Sequence, residues 1–330
     1  MMERRSFIGS LAGGLLGAPF AAEAQQPVRV VRLGVLSPGD PLSEPSPRFE
    51  AFRRELRERG WVEGQNITIE WRFAEGKNDR LPDLAAELIR IKVDVIFAIN
   101  TPATLAAKNA TRTVPIVFTG VGASPTTARL VGSLARPGGN VTGVTTVSGE
   151  MSGKRLELMK EVLPTVTRVA VLWHAPNAGA AAIVKDIEGA SVRLGLHIQN
   201  VGVPGPNEIP SALEAATRER AGALVLIDDA LISSHRRPIL ELAGKNRLPV
   251  ISIYSGFAEA GGLLAYGPKA SDTYRRAAYF IDRILKGAKP ADLPVEQSST
   301  FELVINLKTA KALRLTIPPS LLQRADQVIE

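Results

Sequence analysis

Residues 93–121 read VDVIFAINTPATLAAKNATRTVPIVFTGV, and the fold turns on this stretch. Val93–Asn100 and Pro115–Val121 are near-continuous apolar runs, and Thr101–Ala110 between them reads as a helix. Strands that are apolar at every position, not at every second one, belong to sheets covered by helices on both faces, and such sheets are parallel. The same step recurs toward the N-terminus. Val30–Leu36 is a strand, and a helix starts at Ser46-Pro47, an N-cap followed by proline at the first helical position. Phe49, Phe52 and Leu56 line one face of that helix, and Gly60 ends it. The strand Ile67–Phe73 follows, then a helix capped at Asn78-Asp79 with Leu81, Leu84, Leu88 and Ile91 at helical spacing. Beyond residue 121, Val141–Thr146 is a fifth strand.

The alternation then begins again. Ser152–Leu163 is a helix carrying Leu156, Met159 and Leu163 on one face. Arg168–His174, Leu196–Val203, Ala223–Asp229, Pro249–Tyr254 and the short Gly262–Gly267 read as strands, with helices between them, one of them spanning Asn177–Leu194. Asp272–Leu285 is a further helix, ended by Gly287. Two successive sets of βα units predict an α/β fold of two doubly wound parallel-sheet lobes. Ligands in such sheets bind beyond the carboxyl ends of the strands, so two facing lobes share a cleft.

Met1 to Ala24 has a different character. Arg4-Arg5-Ser6-Phe7-Ile8 precedes an uncharged run to Ala22, and Ala22-Glu23-Ala24 forms a small-x-small cleavage site before Gln25-Gln26. This is an export leader, residues 1–24, of the twin-arginine type. The uncharged run is interrupted by four glycines and Pro19 and falls short of the roughly 20 apolar residues of a spanning helix. With no cysteine in the chain there is no site for a lipid anchor, a disulfide or a thiolate metal centre. The mature protein is therefore expected to begin near Gln25, cleaved at Ala24-Gln25, and to be periplasmic and free.

A charged fraction of 22% with 45% hydrophobic residues excludes a disordered chain. The net charge of +7 is spread among acids on probable helix faces, as at Arg53-Arg54-Arg57-Arg59 beside Glu50, Glu55 and Glu58, so no nucleic-acid partner is expected. The search for chemistry returns nothing. There is no phosphate loop, Gly120-Val121-Gly122 lacks the third glycine of a dinucleotide fingerprint, and no G-x-S-x-G occurs. His174, His197 and His235 lack ligand spacing, so neither a metal nor another cofactor is expected. Asp228 and Asp229, adjacent at a strand end, point in opposite directions and do not form an acid/base pair. One faces the cleft while the other caps the following helix.

Several longer motifs carry a resemblance. They are Gly60-Trp61-Val62-Glu63-Gly64-Gln65-Asn66-Ile67, Arg80-Leu81-Pro82-Asp83-Leu84-Ala85, Arg136-Pro137-Gly138-Gly139-Asn140-Val141-Thr142-Gly143-Val144, Ile284 to Pro294, and Phe301-Glu302-Leu303-Val304-Ile305-Asn306. Together they resemble the ABC-transporter substrate-binding proteins related to bacterial tryptophan/tyrosine receptors. The resemblance implies a periplasmic-binding-protein fold of type I, whose two lobes are joined by three crossovers near Val147, Ala265 and Gln297. Lobe I is then 27–146 plus 265–297, and lobe II is 147–264 plus 298–330. It implies no catalysis, a small-molecule ligand such as an amino acid or another carboxylate, delivery to ABC permease subunits, and a monomer. A sensor docking on a membrane kinase and a periplasmic enzyme are the rival functions.

On this frame the expected ligand contacts are Ser37 and Asp40 after the first strand, Asn100 and Thr101 after the third, Thr119 on the fourth and Thr146. From the second lobe they are Asn177, Asp228 and Tyr254. Asn, Ser, Thr and Asp at these places also serve as caps and turns. One departure stands out: family members commonly carry Gly-Asp-Pro after the fourth strand, and this chain has Gly122-Ala123-Ser124-Pro125. Serine replaces the acid, which points to a ligand different from that of the aromatic amino-acid receptors.

Overall fold

The computed structural model describes residues 30–39, 46–122, 124–146 and 149–330. The leader, Asp40, Ala123 and the crossover expected at Val147 lie outside the described residues.

Among those residues the chain builds two sheets. The first comes from β1 (Val31–Ser37), α1 (Pro47–Glu58), β2 (Ile67–Phe73), α2 (Leu81–Arg90), β3 (Val95–Ile99), α3 (Asn100–Ala110), β4 (Ile116–Val121) and β5 (Val141–Thr145). The second begins after α4 (Gly149–Val162) with β6 (Arg168–His174), α5 (Ala178–Arg193), β7 (His197–Val203), α6 (Ile209–Arg218), β8 (Ala223–Leu226), α7 (Ala230–Ser234), α8 (Arg236–Lys245), β9 (Val250–Ser252), α9 (Ser255–Glu259) and β10 (Leu264–Pro268). The chain then crosses back through α10 (Ala270–Leu285) to β11 (Glu296–Gln297). It returns as β12 (Phe301–Asn306), α11 (Leu307–Ala312), α12 (Pro319–Leu322) and β13 (Gln327–Ile329). The strand orders are β11-β5-β4-β3-β1-β2 and β13-β12-β10-β9-β8-β6-β7.

Helices cover both faces of each sheet, which is why the strands are apolar throughout. On the first sheet, α1 and α10 press Phe49, Phe52, Tyr274 and Phe280 onto one face, and α2 and α3 press Leu84, Leu88 and Ala107 onto the other. Phe52 stacks on Phe97 with ring centroids 4.7 Å apart, and each such buried ring contributes about 2–3 kcal/mol. The second sheet is covered by α4 and α5 on one face and by α6 and α8 on the other.

Two details correct the expectations. The second sheet is not wholly parallel, because β12 enters antiparallel to β10. Ala265 lies inside β10 of that second sheet, so the crossing comes after Pro268, at Lys269, and not at Ala265. The crossings run side by side: Lys269 N donates to Thr300 O at 3.0 Å and Ser298 N to Thr145 O at 2.9 Å.

The motifs of the sequence prove to be structural. Trp61 Nε1 donates to the buried Asp282 Oδ1 at 2.9 Å, tying the end of α1 to α10. Asn140 Nδ2 donates to Val114 O at 2.8 Å and Asn306 Nδ2 to Ala258 O at 2.8 Å, each fastening a strand end. Gly143 has φ +151°, and a Cβ there would stand 2.2 Å from Phe118 O, at the irregularity between β4 and β5. Gly143→Ala must push two central strands apart, so we expect it to destabilise the protein by about 3–5 kcal/mol in chemical denaturation.

Candidate functional site

A cavity lies between the carboxyl ends of the two sheets, where the doubly wound topology places a ligand. The first sheet supplies Asn100, Thr101, Gly120, Gly122 and Thr146; the second supplies Arg155, Asn177, Gly179, Ile183, Asp228, Asp229, Ile253 and Tyr254. The cavity volume is about 30 Å³, room for one or two waters. The walls are nearly in contact: a Cβ on Gly179 would lie 2.9 Å from Thr101 Oγ1, and a Cβ on Gly122 2.9 Å from Ile183 Cδ1. A solute larger than one or two waters enters only if the walls part.

Each wall residue is set by its strand end. Asn100 opens α3 with φ +68°, a left-handed conformation that asparagine tolerates better than most residues. Its Oδ1 lies over Gly120, where a Cβ would come within 2.5 Å. Thr146 Oγ1 donates to Val121 O at 3.1 Å, bracing the end of β4. Asn177 caps α5, its Oδ1 accepting from Gly179 N at 3.0 Å and Ala180 N at 3.4 Å. The N-termini of α3 and α5 therefore both end at the cavity, and their dipoles place positive potential there.

Both aspartates line the cavity, with different partners. Asp229 caps α7 through Ile232 N at 3.0 Å, and its Oδ2 meets His174 Nδ1 at 2.9 Å and Asn177 Nδ2 at 3.3 Å. Asp228 lines the cavity and accepts from Ser233 Oγ. Burial pushes its carboxyl up to about 6, against the pull of that hydrogen bond and of Arg48. Burial also holds the Tyr254 phenol well above its ordinary range, so it stays neutral. Because the folded-state value of Asp228 exceeds the unfolded 3.8, ionising it opposes folding. Asp228→Asn should therefore raise stability by up to about 3 kcal/mol above pH 6, with the gain vanishing below about pH 4. Urea unfolding across that range checks the sign.

Six of the sequence-derived candidates meet at this cavity: Asn100, Thr101, Thr146, Asn177, Asp228 and Tyr254. Ser37 and Thr119 do not line it. Ser37 Oγ turns back to accept from Gly39 N at 3.2 Å. Thr119 is fully buried beside the wall residue Gly120, and successive side chains of a strand face opposite ways. Asp40 lies outside the described residues. Ser124 Oγ pairs with Thr126 Oγ1 at 2.8 Å on the exterior, and Trp173 Nε1 donates to Asn200 Oδ1 at 2.6 Å.

Sequence reasoning missed two arginines. Arg155, on α4, is 4% exposed and lines the cavity. Its Nη2 donates to Ser152 Oγ at 3.0 Å, and its Nη1 has no partner. Burial pulls it down to about 10, leaving it charged at neutral pH. Arg48, on α1, lies 5.6 Å from the Tyr274 ring. Tyr274, with Asp228 and Tyr254, holds it above its ordinary range against burial. The signal for Arg155 was present: Ser152, Arg155, Leu156 and Met159 share one helix face, and a cation on an apolar stripe is out of place. Among the described residues no group of three or more His, Asp or Glu is arranged to hold a metal.

Comparison with known proteins decides the family. The ABC transporter substrate binding protein family matches residues 46–329, nearly the whole described chain. The chain belongs to this family. A tyrosine-binding protein of Clostridioides difficile (strain R20291) is 29% identical over 266 residues, covering 80% of this chain and 75% of that protein. The crystal structure of an ABC domain from Streptococcus pneumoniae in complex with L-Trp matches with TM-score 0.84 and 29% identity, covering 91% of this chain and 100% of that one. The ligand-free, open structure of a substrate-binding protein with adhesive properties, CD0873 from Clostridium difficile, matches with TM-score 0.64 and 26% identity, covering 91% and 99%. At comparable identity, this substrate-binding protein superposes better on the ligand-bound relative than on the open one, in keeping with its nearly touching walls. Its fold is that of type I periplasmic binding proteins. Substrate-binding proteins of ABC transporters are extracytoplasmic, and among the described residues no helix is long and apolar enough to cross a membrane.

Proposed function

We propose that the chain is the solute receptor of an ABC importer, closing over a small organic solute and delivering it to the permease subunits. One observation supports this most: a single cavity is walled by residues from both sheets, so a ligand touching both walls stabilises the closed arrangement over the open one. On this reading the crossings at Lys269 and between Gln297 and Phe301 serve as the hinge about which the two lobes close. Two of the relatives above bind tyrosine and L-Trp, which supports a small amino acid or carboxylate as the solute. The buried His174–Asp229 pair has no nucleophile hydrogen-bonded to it among the described residues, which favours binding over turnover.

With the twin-arginine leader removed, we read the protein as free and monomeric in the periplasm. Arg4 and Arg5 changed together to lysine should abolish export, as fractionation of cells would register. The receptor role is tested by thermal shift over a library of amino acids, organic acids and sugars. A ligand present at about 100 times its Kd stabilises the native state by about 2.7 kcal/mol. A shift with a small organic solute, without turnover by the purified protein, is the expected result. Turnover of the same compound would contradict it.

A further inference from the structure

The charges around the cavity are unequally satisfied. Asp229 accepts from three donors of the protein itself, His174, Asn177 and Ile232 N. Asp228 is compensated in part from within: Ser233 donates to it, and the guanidinium groups of Arg48 and Arg236 attract it from α1 and α8, against burial. Arg155 is the exception. It is 4% exposed, its Nη2 donates to a neutral hydroxyl, that of Ser152, and its Nη1 is unpartnered. Among the described residues no carboxylate pairs with it. A buried guanidinium without an anion is costly, and the deficit is removed when a carboxylate arrives.

Two helix N-termini on the wall add potential of the same sign. The N-termini of α3, eleven residues long, and α5, sixteen residues long, end at the cavity. Of the two carboxylates on the wall, Asp229 is taken up by its three donors and Asp228 faces Arg48 and Arg236. An ammonium beside Asp228 would stand in the field of Arg48 and Arg236, which already attract that carboxylate. The loop after β4 offers Ser124, turned to Thr126, and no acid.

We infer that the solute is a net organic anion, a monocarboxylic acid without an amino group, whose carboxylate pairs with the guanidinium of Arg155. This inference rests on the receptor reading and narrows its substrate class. It separates the chain from relatives whose ligands, tyrosine and L-Trp, are zwitterions. The apolar lining of Ile183, Ile253 and the face of Tyr254 suits an uncharged organic tail.

Acidification gives a second readout with a definite sign. The groups facing Asp228 are Ser233, Arg48, Arg236, Asp229 with its partner His174, and the phenols of Tyr254 and Tyr274. A bound carboxylate makes Asp228 harder to ionise, so binding takes up a proton and tightens as pH falls through about 6. An ammonium held by Asp228 has the opposite effect, and its binding weakens.

Calorimetric titration of the mature chain with matched sets decides the matter: each amino acid against the 2-hydroxy acid and the deaminated acid of the same carbon skeleton, for alanine, leucine, tyrosine and tryptophan. In the skeleton that binds, the acid lacking nitrogen should bind at least about tenfold more tightly than the amino acid, because the ammonium is left without a partner. Its affinity should rise about fivefold between about pH 7.5 and about pH 5.5. A preference for the amino acid, weakening of the acid at low pH, or binding of a neutral sugar alone overturns the inference and leaves the receptor reading standing. Failure of every set and every sugar overturns both.

Discussion

Arg155→Met binds the solute about 30- to 1,000-fold more weakly than the parent while its folded state is no less stable, since losing one partner of a desolvated charge pair costs about 2–5 kcal/mol. The two halves of this result have separate causes. In the free protein the guanidinium is buried with only Ser152 Oγ as a described partner, and burial pulls its proton affinity down to about 10. Methionine matches the volume and removes the desolvation cost, so the lost hydrogen bond to Ser152 is offset. In the complex, the same substitution leaves the ligand carboxylate buried without its cation. Calorimetric titration measures the first half and urea unfolding the second. A variant that loses stability and affinity in parallel would make Arg155 a structural residue of α4 and not a ligand contact.

Gly179→Leu, at the second position of α5, should cost at least about 100-fold in affinity, equivalent to about 2.7 kcal/mol. The glycine sits where the two walls meet, with a Cβ destined to lie 2.9 Å from Thr101 Oγ1 and 3.2 Å from Thr101 Cβ. Its φ is ordinary, and leucine is the better helix former, so the second lobe itself tolerates the change. The leucine branch instead occupies the seam. It destabilises the closed arrangement and leaves the open one untouched, and apparent affinity falls with the fraction of closure-competent molecules. An unchanged melting temperature without ligand, together with near-complete loss of the ligand-induced shift, is the expected pattern. Normal affinity would mean that the walls do not close on this seam.

The fold was legible because its physics is local. Apolar runs of strand length, such as Val95–Ile99 and Ile116–Val121, and helical stripes such as Leu81, Leu84 and Leu88, report burial directly. The antiparallel entry of β12 was not legible, since a short apolar run reads alike in either direction. Nor was the position of the crossing after β10, which depends on how far that strand extends beside β12. At the site, polar residues at strand ends were placed from the topology together with the family resemblance, and Asn100, Thr101, Asn177 and Asp228 line one cavity. Thr119 failed because a one-residue offset along a strand turns a side chain to the other face. The arginines failed for a different reason. Arg48 and Arg155 lie within α1 and α4, past the strand-end loops, and their tertiary placement brings them to Tyr254. Ser37 illustrates a third reason: its hydroxyl is used by its own turn. The motifs that carry the family resemblance, at Trp61, Asn140, Gly143 and Asn306, stabilise the lobes and touch no ligand-facing wall. They report the fold faithfully and leave the ligand to other residues.

The central claim is that a solute closes two lobes over a shared cavity. Small-angle X-ray scattering on the mature chain, alone and saturated with the best compound of the thermal-shift library, tests it directly. Closure about the hinge brings the lobes together, so the radius of gyration should fall on ligand addition in the parent protein and stay at the open value in Gly179→Leu at the same ligand concentration. A radius of gyration unchanged by a ligand that demonstrably binds the parent would contradict the account.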